Sequence, residues 1–258
     1  MNELRDAKYF YDEIAGLAIQ ESDDWLESSR RQTKLISKLI RDRFDMKGPL
    51  SILDCSCGTG KAAIGFALDG HKVIGSDICS SEIDLAVSRA RRLDLDIDFQ
   101  VCDFRDLGVE IDRYFHLVYS FDNAIAHVLD LDDLAEVFKA MYSKLYSGGL
   151  MLIGVRDHDS IIEQTSASSF PVLLENSLGR KFYFQISDWT EDKKFYNLSL
   201  FEDSVGNLDP VAITTKMRVI TRKDIFDLTS ALGWEAAEWL DQDETGYYQP
   251  MLAVRKTG

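Results

Sequence analysis

Between residues 50 and 155 short apolar runs alternate with segments of helical periodicity, and this alternation limits the fold more than any other feature. Leu50 to Cys55, Lys72 to Ser76, Ile97 to Cys102, Tyr114 to Phe121 and Leu150 to Val155 read as strands, and Lys61 to Leu68, Ser81 to Leu93 and Leu131 to Leu145 as helices. Strands joined through helices need right-handed crossovers, which make the strands parallel and cover both faces of the sheet. A helix from Lys223 to Leu232, ended by Gly233, and two last strands, Trp234 to Leu240 and Tyr248 to Arg255, extend the same rhythm, with Pro250 limiting pairing in the first half of the final strand. The expected fold class is α/β, a doubly wound, mostly parallel seven-stranded sheet whose ligand lies beyond the carboxyl ends of its strands.

Two segments depart from the rhythm. From Ser22, an N-cap followed by Asp23 and Asp24, apolar residues at Leu26, Leu35, Ile36, Leu39, Ile40 and Phe44 predict one amphipathic N-terminal helix closed by Gly48-Pro49. Lys181 to Trp189, Phe195 to Phe201 and Ile213 to Thr221 are β-rich, joined by Thr190-Glu191-Asp192 and Gly206-Asn207, and predict an antiparallel flap inserted after the fifth strand. The expected organisation is one compact domain: residues 1–48 a helical segment covering the site, 49–155 and 222–258 a ligand-binding core, and 156–221 a substrate flap.

Charge narrows the partners. With 29 basic and 44 acidic residues the formal net charge is −15, and the densest basic run, Arg89 to Arg92, is followed by Asp94, Asp96 and Asp98. Nucleic-acid phosphates need a basic stripe, so no nucleic-acid partner is expected. No apolar run reaches the ~18 residues of a membrane helix, and Met1 to Asp12 alternates charges, so a cytoplasmic protein without a membrane partner is expected, as a monomer or small homo-oligomer. The cysteines at 55, 57, 79 and 102 match neither zinc-knuckle nor CxxC spacing; buried thiols, no disulfide and no metal are expected.

The sharpest local signal is Asp54-Cys55-Ser56-Cys57-Gly58-Thr59-Gly60 between a strand and a helix, with Asp77 nineteen residues after Gly58 at the end of the next strand. Gly58-x-Gly60-x-x-Ala63 fits a dinucleotide fingerprint, so an NAD(P)-dependent oxidoreductase is one reading. Charge favours another. A pyrophosphate against this loop would be repelled by Asp54, whereas S-adenosylmethionine brings an ammonium and a sulfonium and no phosphate. On that reading Asp54 faces the cationic end of S-adenosylmethionine, Asp77 bonds its ribose hydroxyls, and Gly58 and Gly60 let backbone approach it closely.

Asp103-Phe104 and Phe121-Asp122-Asn123 fall on the same edge, after the third and fourth strands. Together with Asp54 to Gly60, Asp77-Ile78 and Ser147-Gly148-Gly149 before the fifth strand, they make the chain resemble the class I S-adenosylmethionine-dependent methyltransferases over nearly its whole length. The resemblance implies that Asp103 reaches the adenine amino group, that Ile78 and Phe104 sandwich the ring, that Phe121 borders the cofactor, and that S-adenosylhomocysteine is the product. Within that superfamily Tyr11-Asp12, Trp25, Asp122-Asn123-Ala124-Ile125-Ala126-His127, Arg156 and the β-rich insertion resemble glycine and sarcosine N-methyltransferases. This implies Asn123 and His127 beside the methyl-transfer site, Arg156 as the acceptor's carboxylate partner, and Tyr11, Trp25 and Arg31 (or Arg30) closing the site. Ala124, where that family has a serine-like residue, and the run Val155-Arg156-Asp157-His158-Asp159 depart from it. A methyltransferase for another small amine or natural product is therefore the neighbouring reading.

Overall fold

The computed structural model describes residues 3–15, 25–161, 163, 166–169, 171–176, 179–205, 211–234 and 236–257. Ser22, Asp23, Asp24 and the Gly206-Asn207 turn, which the sequence marks as a helix cap and a hairpin, lie outside them.

In chain order the elements are α1 (Glu3–Ile14), α2 (Trp25–Phe44), β1 (Ser51–Asp54), α3 (Lys61–Leu68), β2 (Lys72–Asp77), α4 (Ser80–Arg92), β3 (Asp98–Val101), α5 (Leu107–Glu110), β4 (Phe115–Ser120), a 3-10 turn (Ala124–His127), α6 (Leu131–Ser143) and β5 (Leu145–Gly154). There follow α7 (His158–Ile161), β6 (Ser166–Ser168), β7 (Val172–Asn176), β8 (Gly179–Trp189), β9 (Phe195–Ser204), β10 (Val211–Arg218), α8 (Arg222–Ala231), β11 (Ala237–Leu240), α9 (Gln242–Thr245) and β12 (Met251–Arg255).

The expected seven-stranded sheet is present, in the order β3-β2-β1-β4-β5-β12-β11. β1 to β5 pair in parallel, and β12 enters antiparallel between β5 and β11. The central strands carry apolar residues on successive positions because both faces are covered: Ile52, Leu53, Leu117 and Val118 are all buried. One layer of core gathers Phe138, Met141, Ile153 and Leu228, the other Ile36, Ile40, Phe66 and Leu150. The second sheet, β10-β9-β8-β6 with β7 also on β8, is the antiparallel flap, enlarged by two strands that lack a clean alternation in sequence.

Three details correct the sequence reading. An additional helix, α1, precedes the single expected one; its Phe10 and Ile14 pack on Leu200 and Ile213 of the flap, a tertiary partner that a local reading of twelve residues does not contain. β5 starts at Leu145, so Ser147-Gly148-Gly149 lies within the strand: Phe115 pairs Leu145, then Leu117 pairs Leu150, and Gly148, at φ +77°, lets the intervening residues bulge. β12 begins at Met251 because Pro250 has no N–H for the ladder, although its carbonyl accepts from Val155 N–H at 3.1 Å.

The helix pair α2–α3 closes on Gly65, where an added Cβ would sit 2.6 Å from Thr33 Cγ2 and Oγ1 and 2.8 Å from Ser29 Oγ. Alanine gains about 1 kcal/mol in helix propensity but overpacks a closed contact at about 1–3 kcal/mol. Gly65→Ala should therefore lower stability by about 1 kcal/mol, read as a reduced urea midpoint; an increased midpoint would contradict this packing.

Candidate active site

A cavity of about 320 Å³ opens at the carboxyl ends of β1, β2, β3 and β4, within the size range of small-ligand sites. The β1–α3 loop supplies Asp54 to Thr59, the turn after β2 supplies Asp77 and Ile78, and the turn after β3 supplies Asp103 and Phe104. Phe121, Asp122, Ala124 and His127 follow β4, and α1 contributes Ala7, Tyr11 and Ile14.

The loop is held by its neighbours. Gly58, at φ +49°, donates its N–H to Asp77 Oδ2 at 2.8 Å, while Cys79 N–H donates to Asp77 Oδ1 at 3.0 Å. Asp77 thus ties the first loop to the second and still faces the cavity. Gly60, at φ +79°, does something other than the expected approach to a ligand: it is not among the cavity-lining residues, and a Cβ there would lie 2.9 Å from Ala86 Cβ and 3.1 Å from Phe99 Cζ. Its missing side chain lets α4 pack against the loop.

Asp54 is buried and accepts from the Tyr119 hydroxyl at 2.7 Å and from Ser56 N–H at 3.3 Å. Burial outweighs these bonds and pushes its carboxyl up to about 8. The carboxylate that the charge argument assumes is therefore largely protonated at neutral pH until a cation arrives. Glu82, on the first turn of α4, is a further buried carboxyl in the cavity, also pushed up to about 8 by burial. Sequence reasoning passed over it, because an acid in a helix's first turn ordinarily faces solvent beside the dipole. Asp103 lines the cavity with its carboxylate fixed by the Arg105 guanidinium, Nη2 at 2.7 Å from Oδ2. Phe104 both lines the cavity and packs on the core.

At the far end, the Tyr11 hydroxyl meets His127 Nε2 at 3.1 Å. His127 is buried, its Nδ1 has no partner among the described residues, and burial lowers its pKa to about 4, so the imidazole is neutral at physiological pH. Tyr11 is presented by α1, which Asp12 pins to the start of α4. The Asp12 carboxylate accepts from Cys79 Sγ at 3.0 Å, from Lys8 Nζ at 2.8 Å and from the Ser81 hydroxyl, and these bonds hold it well below the usual carboxylate range.

Asn123 and Arg156 stand behind this surface, outside the lining. Asn123, at φ +64°, donates from Nδ2 to the Tyr196 hydroxyl at 3.0 Å and accepts from Arg156 N–H at 3.0 Å. The Arg156 guanidinium donates to Ser187 Oγ at 3.2 Å and lies 5.8 Å and 5.7 Å from the Trp189 and Tyr196 ring centroids. Neither Asp157 nor Asp159 forms an ion pair with it.

Two further expected contacts, those of Trp25 and Arg31, are absent from the cavity. Trp25 covers the guanidinium of Arg89, 4.7 Å from its ring centroid, and Arg31 is exposed on α2; Gln32 is the residue of that helix that reaches the cavity. Helical geometry explains the exchange, since neighbouring positions are turned by about 100° from one another. Gln185 and Leu200 of the flap and Tyr247 complete the lining; no motif marks them. The four cysteines are buried and free. Among the described residues no group of three His, Cys, Asp or Glu is placed to hold a metal, and no helix is long and apolar enough to cross a membrane.

Comparison with known proteins agrees with this geometry. Residues 52–149 match the family described as "Methyltransferase domain". A glycine/sarcosine N-methyltransferase of Parasynechococcus marenigrum (strain WH8102) is 24% identical over 144 residues, 56% of this chain and 50% of that protein. A glycine/sarcosine N-methyltransferase of Aphanothece halophytica is 22% identical over 165 residues, 63% of this chain and 61% of that protein. The chain spans about half the length of the first curated relatives it matches. Among solved structures, an S-adenosylmethionine-dependent methyltransferase from Clostridium acetobutylicum ATCC 824 superposes with TM-score 0.70 at 14% identity, covering 95% of this chain and 96% of that one. An amino pentose methyltransferase from Micromonospora echinaspora, solved with S-adenosylmethionine bound, gives TM-score 0.68 at 16% identity, covering 90% and 92%. The family match falls on the strands and loops that build the cavity, so residues 52–149 match a methyltransferase domain, and the solved structures share its α/β fold.

Proposed function

We propose that the chain transfers a methyl group from S-adenosylmethionine to the amine of a small molecule, and that glycine and sarcosine, as in betaine synthesis, are the first acceptors to test. The observation that carries this reading is the neutral His127, held by Tyr11 in the same cavity as the acidic loop. The sulfonium supplies an activated methyl group when bound. The protein's part is to hold a neutral amine in line with it and keep water out. Asp54, Asp77 and Ile78 receive the donor, Asp103 and Phe104 border its adenine, and Phe121 closes the side next to β4. With the donor bound, its sulfur would leave with the S–C bonding pair as the amine nitrogen takes the methyl group, and His127 would accept the proton that the methylated amine sheds. A pyrophosphate would bring no cation to ionise Asp54 and Glu82 and would keep both protonated, whereas the ammonium and sulfonium of S-adenosylmethionine match their carboxylate forms, which disfavours an NAD(P)-dependent oxidoreductase.

Support for an acceptor carboxylate comes from Arg156, which has no acidic partner among the described residues and stands beside two aromatic rings, joined to the site through Asn123. An arginine fork suits bidentate carboxylate recognition. Arg156→Ala should raise KM for glycine or sarcosine about tenfold to a hundredfold while leaving the Kd of S-adenosylhomocysteine within twofold. Assays with labelled donor check this; loss of donor binding with an unchanged acceptor KM would sink the assignment. We place the enzyme in the cytoplasm, as a monomer or small homo-oligomer acting on neither nucleic acid nor membrane.

A further inference from the structure

Asp122 is a carboxylate that neither the loop motif nor the His127 pair accounts for. It follows β4 directly, lines the cavity and is solvent-exposed, so it stands where an incoming molecule passes. Its backbone is unusual, because Asp122 and Asn123 are consecutive non-glycine residues in the left-handed region, at φ +57° and φ +64°. Two hydroxyls from the far end of the chain hold its side chain. Tyr247 donates to Oδ1 at 2.9 Å and Tyr248 donates to the same oxygen. Both bonds fall on Oδ1, and Oδ2 has no hydrogen-bond partner among the described residues.

A second observation in the same cavity points to a ligand that donates or accepts protons. His127 Nδ1 is buried without a partner, which is costly unless something in the cavity satisfies it. The cavity lining is also dominated by acids, with Asp54, Asp77, Glu82 and Asp103 set against Lys61. That balance suits a cationic acceptor as much as a cationic donor.

We propose that Asp122, oriented through Oδ1 by Tyr247 and Tyr248, binds the acceptor's protonated amine through Oδ2 and so selects acceptors that carry a basic nitrogen. The inference rests on the methyltransferase reading and deepens it. The amine enters as an ammonium, is drawn to the carboxylate, gives one proton to solvent at this exposed position, and passes as the neutral amine to the His127 side of the cavity. Tyr247 and Tyr248 are positioning residues, since they act only through Asp122.

Asp122→Asn is the discriminating variant. Asparagine tolerates a left-handed backbone and keeps an oxygen for the tyrosine hydroxyls, so what it removes is the charge. Initial rates with labelled S-adenosylmethionine are measured for glycine, sarcosine, ethanolamine and glucosamine, and S-adenosylhomocysteine binding is measured by calorimetry on the same preparations. The expected result is methylation of at least one of these amines by the wild type, a KM raised about tenfold to a hundredfold in Asp122→Asn with a smaller change in kcat, and a donor-product Kd within twofold. Tyr248→Phe should raise KM in the same direction by a smaller factor. An unchanged KM in Asp122→Asn overturns the proposal, as does a wild type that binds S-adenosylhomocysteine and methylates none of the amines. Failure of the wild type to bind S-adenosylhomocysteine overturns the methyltransferase reading itself.

Discussion

Asp77→Ala should weaken S-adenosylhomocysteine binding by about two orders of magnitude, measured by titration calorimetry. The side chain does two things at once. It holds the first loop to the second through the Gly58 and Cys79 N–H groups, and it presents the same carboxylate to the cavity where ribose hydroxyls are proposed to bind. Hydrogen bonds to a charged group contribute about 1.5–3 kcal/mol each, and every 1.4 kcal/mol is a factor of ten. Losing the ribose contact alone therefore gives about a tenfold to a hundredfold effect, and a slackened loop adds to it. Asp77→Asn, which keeps one accepting oxygen, should lose less than alanine. Wild-type affinity in the alanine variant would remove this end of the cavity from the cofactor site.

Affinity for S-adenosylhomocysteine should rise as pH rises from 6 to 7.5, by up to about 30-fold for one coupled proton. Asp54 is pushed up to about 8 by burial in the ligand-free protein, and a bound ammonium favours its ionised form. Binding below that pH must therefore expel a proton, and the proton competes with the ligand. The window ends at 7.5 because Asp54 approaches its own titration point there, above which no proton has to be expelled. Asp54→Asn keeps an acceptor for Tyr119 while removing the titration, so its affinity should lose that pH dependence; any slope left over belongs to Glu82, which titrates in the same range.

The same two carboxyls bear on stability. Each is raised above its unfolded value by burial, so the folded state holds more protons than the unfolded one between about 4 and 8. Their contribution is lost as pH rises through that interval. The buried His127 and His158, lowered to about 4 by burial, act in the opposite sense only below 6.5. Between pH 6.5 and 8 the carboxyls dominate this balance, and the Tm of the ligand-free protein should fall.

The parallel core was legible because its signals are local. Ile52, Leu53, Leu117 and Val118 form unbroken apolar runs that only a strand covered on both faces accommodates, and Gly58 and Asp77 sit at the two turns that the strand order brings together. The flap was legible in outline through its alternation, although β6, three residues with one apolar position, and β7, whose Val172-Leu173-Leu174 run does not alternate, were not. Arg31 and Gln32 show the limit on the helices: periodicity marks a buried stripe, and which flanking polar residue reaches the cavity depends on how the helix is rotated on its neighbours.

By itself the sequence determined the layered sheet, the glycine turn and the acids around it, since a period of two or of 3.6 and a left-handed turn are properties of a few adjacent residues. Only the tertiary structure decided that Tyr11 meets His127, that Tyr247 and Tyr248 hold Asp122, and that α1 joins core to flap. It also decided that Asp54 and Glu82 hold their protons near neutrality. Such contacts join residues more than a hundred positions apart, and such protonation states follow from lost water, which folding removes and no local pattern records.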